Sequence, residues 1–313
     1  MDRKSGTVLV LVFGGLFLAL FGFLLLAFMA VKGAGNDEGG SSFGGGPAIG
    51  VLEIKGQIAS ADKALKALRK FAKEDRIKAI LVRIDSPGGA VGPSQEIYKE
   101  LRTIGEKKKV VCSMGSLAAS GGFYIAVGCQ KILAMPGTLT GSIGVISQLP
   151  YLGGIAKELH FEMNTIKSGK MKDLGNPFRE MTDDEKAFFQ KLMDEVHEQF
   201  IAAVAEGRGL KPEDVRPIAD GRVITGQEAK DKKLIDEIGN FNDAVKLAAK
   251  LGGIEGEPKL QYPAEEHKFK FEEFMTEGGK ALMRGVRADL GEAAGGASEQ
   301  IVGPAYLMPM PHP

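Results

Sequence analysis

The residues best suited to chemistry cluster between Met114 and Gly144, in MGSLAASGGFYIAVGCQKILAMPGTLTGSIG. A run of small residues, Ala118-Ala119-Ser120-Gly121-Gly122, follows shortly after Val110-Val111-Cys112, which reads as the end of a buried strand. Ser120 is thereby expected at a strand-to-helix turn, where glycines admit close approach of other backbone. Such a turn exposes a hydroxyl and aims unpaired helix N-terminal amides at one point, as a nucleophile and an oxyanion site both require. A helix cap in a tight turn is the plainer use of the same residues. Two further glycine turns, Asp85-Ser86-Pro87-Gly88-Gly89 and Thr140-Gly141-Ser142-Ile143-Gly144, also follow strand-like runs. Loops at the carboxyl ends of parallel strands converge on one crevice. The amides of Gly89 and Gly121 would then flank a carbonyl attacked by Ser120. Ser-Pro-Gly-Gly is equally an ordinary β-turn.

A serine nucleophile needs a base. The histidines are His160, His197, His267 and His312, and none sits in a signature. His197 falls within a long helical pattern and reads as a surface residue, and His312 lies in the tail. His160, in a loop, is the one histidine kept as a rival base. A lysine is the other option, since a desolvated amine falls to a pKa of about 7–8 and accepts the serine proton. Ser168-Gly169-Lys170-Met171-Lys172-Asp173 offers two lysines in a glycine-containing turn. By itself that stretch is a solvated basic turn.

The elements that must position these groups alternate between strand and helix. Residues 48–54 and 77–84 read as strands, the second apolar enough to be central. Residues 61–72 carry Leu65, Leu68 and Phe71 at helical spacing. Residues 95–104 read as helix, 110–113 and 131–134 as strands, and 164–166 as a further short strand. This alternation predicts an α/β fold with parallel strands and right-handed crossovers. Thr182-Asp183-Asp184-Glu185 is a capping box opening a helix to about Glu206. Its stripe of Phe188, Phe189, Leu192, Val196, Phe200 and Val204 is core or subunit interface. Asp220 to Gly226 reads as an extended turn before a short helix from Gln227. Residues 241–251 and 269–286 read as amphipathic helices.

Composition narrows the function classes. Lys+Arg and Asp+Glu are 40 each among 313 residues, so no charge excess favours nucleic acid. Cys112 and Cys129 lie in apolar surroundings without metal-type spacing. Buried thiols are expected, with a bridge between them as the alternative. No metal or other cofactor is called for. Thr7 to Val31 is 25 residues without a charge, about 37 Å as a helix, against a bilayer core of about 30 Å. The run is longer than a cleaved signal's apolar core and lacks an Ala-x-Ala site. An uncleaved anchor is expected, with Arg3 and Lys4 holding the N-terminus in the cytoplasm and the rest outside. The resulting organisation is a cytoplasmic N-terminus over 1–6, anchor over 7–31, linker over 32–46, folded domain over 47–290, and a Gly/Ala-rich tail over 291–313.

The ordered set DSPGG, SLAASGGFYIA, LTGSIGV, SGKMKD and NPFREMTDDEK resembles the signal peptide peptidase A family. That family comprises membrane-anchored serine peptidases with a Ser/Lys dyad, within the ClpP/crotonase-like superfamily. The resemblance covers about residues 47–251, and the length resembles the short bacterial form. It implies a repeated ββα-type domain with a parallel sheet. Position by position it implies Ser120 as nucleophile, Lys172 as general base, Ser142 as the residue orienting that lysine, and Gly89 and Gly121 as oxyanion donors. It also implies a homo-oligomeric ring with the dyad shared between adjacent protomers. The substrates implied are apolar membrane-derived peptides such as signal-peptide remnants. Leu117, Phe123, Ile143 and Val145 are candidates for an apolar pocket, or for core. Three rivals remain: a crotonase-like acyl-transfer enzyme, disfavoured by the anchor and the Ser/Lys pairing; a non-catalytic membrane scaffold, which would lack Ser120 or Lys172; and a related membrane-bound ClpP-class peptidase, usually with further spans.

Overall fold

The computed structural model describes residues 46–264. The anchor expected over 7–31, the helix expected over 269–286 and the tail lie outside the described residues. Among the described residues no helix is long and apolar enough to cross a membrane.

The first half follows the predicted alternation. Strand β1 (Ala48–Lys55), helix α1 (Asp62–Lys73), β2 (Ile77–Ser86), α2 (Val91–Gly105), β3 (Lys109–Ala119), α3 (Gly121–Ala126) and β4 (Lys131–Ala134) succeed one another. After them come β5 (Leu139–Gly141), α4 (Gly153–Glu158), α5 (Asp183–Arg208), α6 (Pro212–Val215), β6 (Val223–Thr225), α7 (Gly226–Asp231), β7 (Glu237–Ile238), α8 (Phe241–Leu251) and β8 (Lys259–Gln261). The sheet runs β6-β5-β3-β2-β1-β8, with β4 on β3 and β7 on β4. Every pairing is parallel except β5 with β6. The molecule is thus a mixed α/β protein built on a largely parallel sheet.

Strand parity assigns each face its cover. Ile49, Val51, Ala79, Leu81, Val111 and Leu133 pack under α8, against Ala244 and Ala248. The intervening residues Leu52, Ile80, Val82, Ile84, Val110 and Ile132 pack with Leu68 and Phe71 of α1, Leu101 of α2 and Val204 of α5. Both faces are therefore apolar, as a central parallel strand demands. Truncating Leu68 or Leu101, each fully buried, removes about 2–5 kcal/mol.

Three local expectations are corrected. The strand expected to end at Ser113 continues to Ala119, because Leu117, Ala118 and Ala119 pair with Leu139, Thr140 and Gly141. That ladder overrides the weak strand propensity of small residues. No strand forms over 164–166, where Ile166 is fully exposed and no partner strand is present. Cys112 and Cys129 are not free thiols but a disulfide, with Cα atoms 5.9 Å apart. It joins β3 to the segment after α3, so the bridge brackets Ser120.

Candidate active site

Ser120 stands at the tip of β3, as N-cap of α3, with φ 53° and ψ −122°. A non-glycine residue holds this conformation only when its surroundings impose it. Its amide donates to the Gly141 carbonyl at 2.9 Å, and its carbonyl accepts from the Tyr124 amide at 2.8 Å. Behind the turn, Tyr124 packs on Phe200 of α5 with ring centroids 4.8 Å apart and on Tyr98 of α2 at 5.3 Å. Ser120 is half-buried, and its Oγ has no hydrogen-bond partner among the described residues.

The Asp85–Gly89 turn lies directly against it. A Cβ on Gly88 would fall 2.7 Å from the Gly121 nitrogen and 2.9 Å from the Ser120 Cβ, and Gly88 holds φ +101°. Only glycine combines that conformation with that approach. The adjoining polar groups are satisfied. The Ser86 hydroxyl accepts from the Gly88 amide at 3.0 Å and donates to the Gly56 carbonyl at 2.6 Å. An Asp85 carboxylate oxygen accepts from the Leu117 amide at 3.1 Å. Ile58 bridges the flanking backbone, donating to the Gly88 carbonyl at 2.9 Å and accepting from the Ala90 amide at 2.7 Å. The amides of Gly89 and Gly121 are left over, neither donating a hydrogen bond among the described residues. A Cβ built on Gly121 would sit 3.2 Å from the Gly89 nitrogen, so the two free amides are close neighbours beside Ser120. Two such donors can stabilise an oxyanion formed on a carbonyl that Ser120 attacks.

Ser142 enters through the backbone. It follows Gly141, whose carbonyl receives the Ser120 amide, and holds φ 51°. Its amide donates to the Arg222 carbonyl at 2.8 Å, while the Gly221 amide donates to the Ile143 carbonyl at 3.1 Å. The stretch around Asp220–Thr225, expected as an extended turn, contains β6 and braces the Ser142 turn. Among the described residues, Ser120, Ser142, His160 and Lys233 are the non-glycine residues with positive φ, and the first two meet at this turn.

Among the described residues no hydrogen bond joins Lys172 to Ser120. Lys172 lies exposed in a turn where its amide donates to the Gly169 carbonyl at 3.2 Å, and its Nζ has no partner among the described residues. The neighbouring cations differ. Lys167 pairs with Asp173, Lys170 with Asp184 at 2.5 Å, and Arg179 with Asp173 at 2.8 Å and Glu185 at 2.5 Å. Arg179 and Lys167 hold the Asp173 carboxyl well below the usual carboxylate range. Arg179 and the Thr182 amide bring Glu185 down to about 2. Asp184 raises the Lys170 ammonium. His160 sits exposed just past α4 with φ 51°. His197, expected on the surface, is half-buried, and its Nε2 has no hydrogen-bond partner among the described residues. Of the pocket candidates, Phe123 and Ile143 are core residues closed to solvent, whereas Leu117 and Val145 are half-exposed.

No group of acidic, histidine or cysteine side chains able to hold a metal ion occurs among the described residues. Residues 102–255 match the model of peptidase family S49, a span that includes Ser120, Ser142 and Lys172. An inferred protease of Synechocystis sp. is 46% identical over 209 residues, covering 66% of this chain and 75% of that one. The chloroplastic serine protease SPPA of Arabidopsis thaliana is 32% identical over 206 residues, 66% of this chain and 30% of the relative. Protease 4 of Salmonella typhi is 33% identical over 224 residues, 70% and 36% respectively. With a strained serine beside two unpaired amides, and this degree of likeness along the same span, the chain belongs to peptidase family S49, in its signal peptide peptidase A branch.

Proposed function

We propose that the chain is a membrane-anchored serine endopeptidase of ClpP/crotonase-like type, acting through Ser120 and Lys172. The observation carrying this reading is the pair of free amides, Gly89 and Gly121, set beside a serine held in a strained turn. Lys172 Nζ takes the proton from Ser120 Oγ as that oxygen attacks a peptide carbonyl. The two amides stabilise the oxyanion, each worth about 3–4 kcal/mol. The lysine ammonium returns the proton to the departing amine as the C–N bond breaks, and water then releases the acyl group from Ser120. Ser142, on the turn bonded to Ser120, orients the lysine.

A base on an exposed turn must be covered before it works, because desolvation favours the neutral amine. A second copy of the chain is the proposed cover, in a homo-oligomer whose dyads span adjacent protomers. Ile146, Leu159 and Ile166 support this, since at 82%, 72% and 100% exposure they leave apolar side chains uncovered in the segment leading to the lysine turn. The Cys112–Cys129 disulfide supports a domain on the extracytoplasmic side, where such bonds persist. Half-exposed Leu117 and Val145 favour apolar peptides, with signal-peptide remnants as the proposed class.

The test uses the full chain in detergent with an apolar fluorogenic peptide. Ser120→Ala and Lys172→Ala are each expected to abolish turnover without changing oligomer mass. Mixing the two variants restores part of it when the dyad crosses a protomer boundary. Full activity in Lys172→Ala would remove the lysine from its role and turn attention to His160. Inactivity of the unaltered chain on every peptide tried would favour a scaffold.

A further inference from the structure

The turn that carries Lys172 is crowded with charge, yet the carboxylates of Asp173, Asp183, Asp184 and Glu185 are each paired with another cation. Asp173, the very next residue, is gripped by Lys167 and Arg179. Its side chain is only 10% exposed. Glu185, at 4% exposure, takes the second edge of Arg179 and closes the capping box at the start of α5. Asp184 holds Lys170, and Asp183 holds Lys186 at 3.3 Å. Lys172 alone among the cations from Lys167 to Arg179 has no carboxylate within ion-pairing distance among the described residues.

This matters because a carboxylate beside an amine favours the charged form. Lys170 is the example within the same turn, its ammonium raised by Asp184. A base must lose its proton, so any acid that swings onto it disables it. The nearest such acid along the chain is Asp173.

Resting on the assignment of Lys172 as general base, we infer that Arg179, with Lys167, is a positioning residue that withholds Asp173 from Lys172. Arg179 is suited to this. Its planar fork satisfies two acids at once, with Nε on Asp173 at 2.8 Å and Nη1 and Nη2 on Glu185 at 2.8 and 2.5 Å. It also donates to the Asp173 and Glu180 carbonyls at 3.3 and 3.0 Å. The same side chain therefore fixes the lysine turn to the first turn of α5 and neutralises the acid next to the base. The charged groups nearest Lys172 along the chain are Lys167, Lys170, Asp173, Arg179 and the exposed Glu180 on its own stretch, and Asp183, Asp184 and Glu185 on α5.

The experiment is the pH profile of kcat/KM for the full oligomeric chain in detergent. In Arg179→Met, Asp173 is released, and the acid limb is expected to move to higher pH by roughly one unit. In Arg179→Met/Asp173→Asn the limb returns to its original place, because no freed acid remains. Asp173→Asn alone leaves the limb where it was. Lys167→Met moves it the same way as Arg179→Met but less, and serves as the single-site test should Arg179→Met fail to assemble. A structural role alone would lower activity in all of these variants without moving the limb, or would leave the double variant displaced. Either result overturns the inference while Lys172→Ala remains inactive. Full activity in Lys172→Ala would instead overturn the assignment of the base, and the inference with it.

Discussion

Replacing Ser120 by glycine should make the protein more stable than replacing it by alanine, although both variants lose the proposed nucleophile. The difference isolates one Cβ at φ 53° and ψ −122°. An L-residue in a sparsely populated region stores about 1–3 kcal/mol of strain, and glycine relieves it. Glycine also gives the unfolded chain more freedom, which offsets about 0.4–1 kcal/mol. The net advantage of Ser120→Gly over Ser120→Ala is therefore roughly 0.5–2 kcal/mol, or about 1–8 °C in Tm for a unit of this size. Denaturant unfolding of the two variants, followed by far-ultraviolet circular dichroism, measures it directly. Neither variant is expected to turn over substrate, which keeps self-digestion out of the comparison. If Ser120→Gly were equally or less stable, the serine would be at rest in its turn, and the argument that packing by Tyr124 and the Gly141 bond hold it under strain would fail.

Gly89→Ala would place a Cβ 2.1 Å from the Ile58 carbonyl oxygen and displace the Gly89 amide; kcat should fall about 10²–10³-fold with KM changed less, and retention of full kcat would remove this amide from the oxyanion site. Reducing the Cys112–Cys129 bridge, or replacing both cysteines by serine, should lower the unfolding free energy by about 3 kcal/mol, given the 17-residue separation; identical urea midpoints with and without dithiothreitol would contradict this. Acid should loosen the lysine turn. Glu185 is depressed from 4.5 to about 2, so the folded state binds this proton more weakly than the unfolded state, and the stability it contributes is present above pH about 4.5 and fades toward pH about 2. Arg179→Met should flatten that dependence in thermal melts taken across this range, and an unaltered slope would show that the ion pairs contribute nothing there.

Legibility from the sequence follows how local each feature is. The capping box at Thr182–Glu185 is a short-range device, and its side-chain bonds form as read. The central strands at 77–84 and 131–134 and the helices at 61–72 and 241–251 depend on periodic burial, and they appear within a few residues of the expected limits. The extension of β3 to Ala119 depends on a partner 22 residues further on, between Leu117 and Leu139, which no local pattern announces. β6 was obscured for the same reason, its ladder with β5 being antiparallel to a strand only three residues long. The glycine turn at 85–89 was legible as chemistry because glycine at Gly88 answers a backbone need. The Gly89 and Gly121 amides were named from the sequence, but the contacts of the Ser86 hydroxyl, the Asp85 carboxylate and Ile58 that satisfy their neighbours were not legible there. Phe123 and Ile143 could be read as pocket walls or as core, because apolar residues beside a site and apolar residues beneath it have the same composition; the structure places them in the core.

The two halves of the proposed dyad are built on opposite mechanical principles. Ser120 and its two amides rest on β2 and β3, whose apolar residues are almost wholly buried, and no side chain need move for the oxyanion site to form. Lys172 rests on a segment held by ion pairs and by its own folding back, Leu152 donating to the Pro177 carbonyl at 2.6 Å and Phe161 meeting Phe178 with ring centroids 5.3 Å apart. That segment exposes Ile146, Leu159 and Ile166 rather than burying them. The burial that would cover those apolar side chains in an oligomer would also desolvate the lysine, and desolvation favours the neutral amine that a base requires. On this reading assembly and activation are a single event. If the dyad is shared between protomers as proposed, a lone chain would carry a prepared nucleophile without a working base, and mixing the two inactive variants would test it.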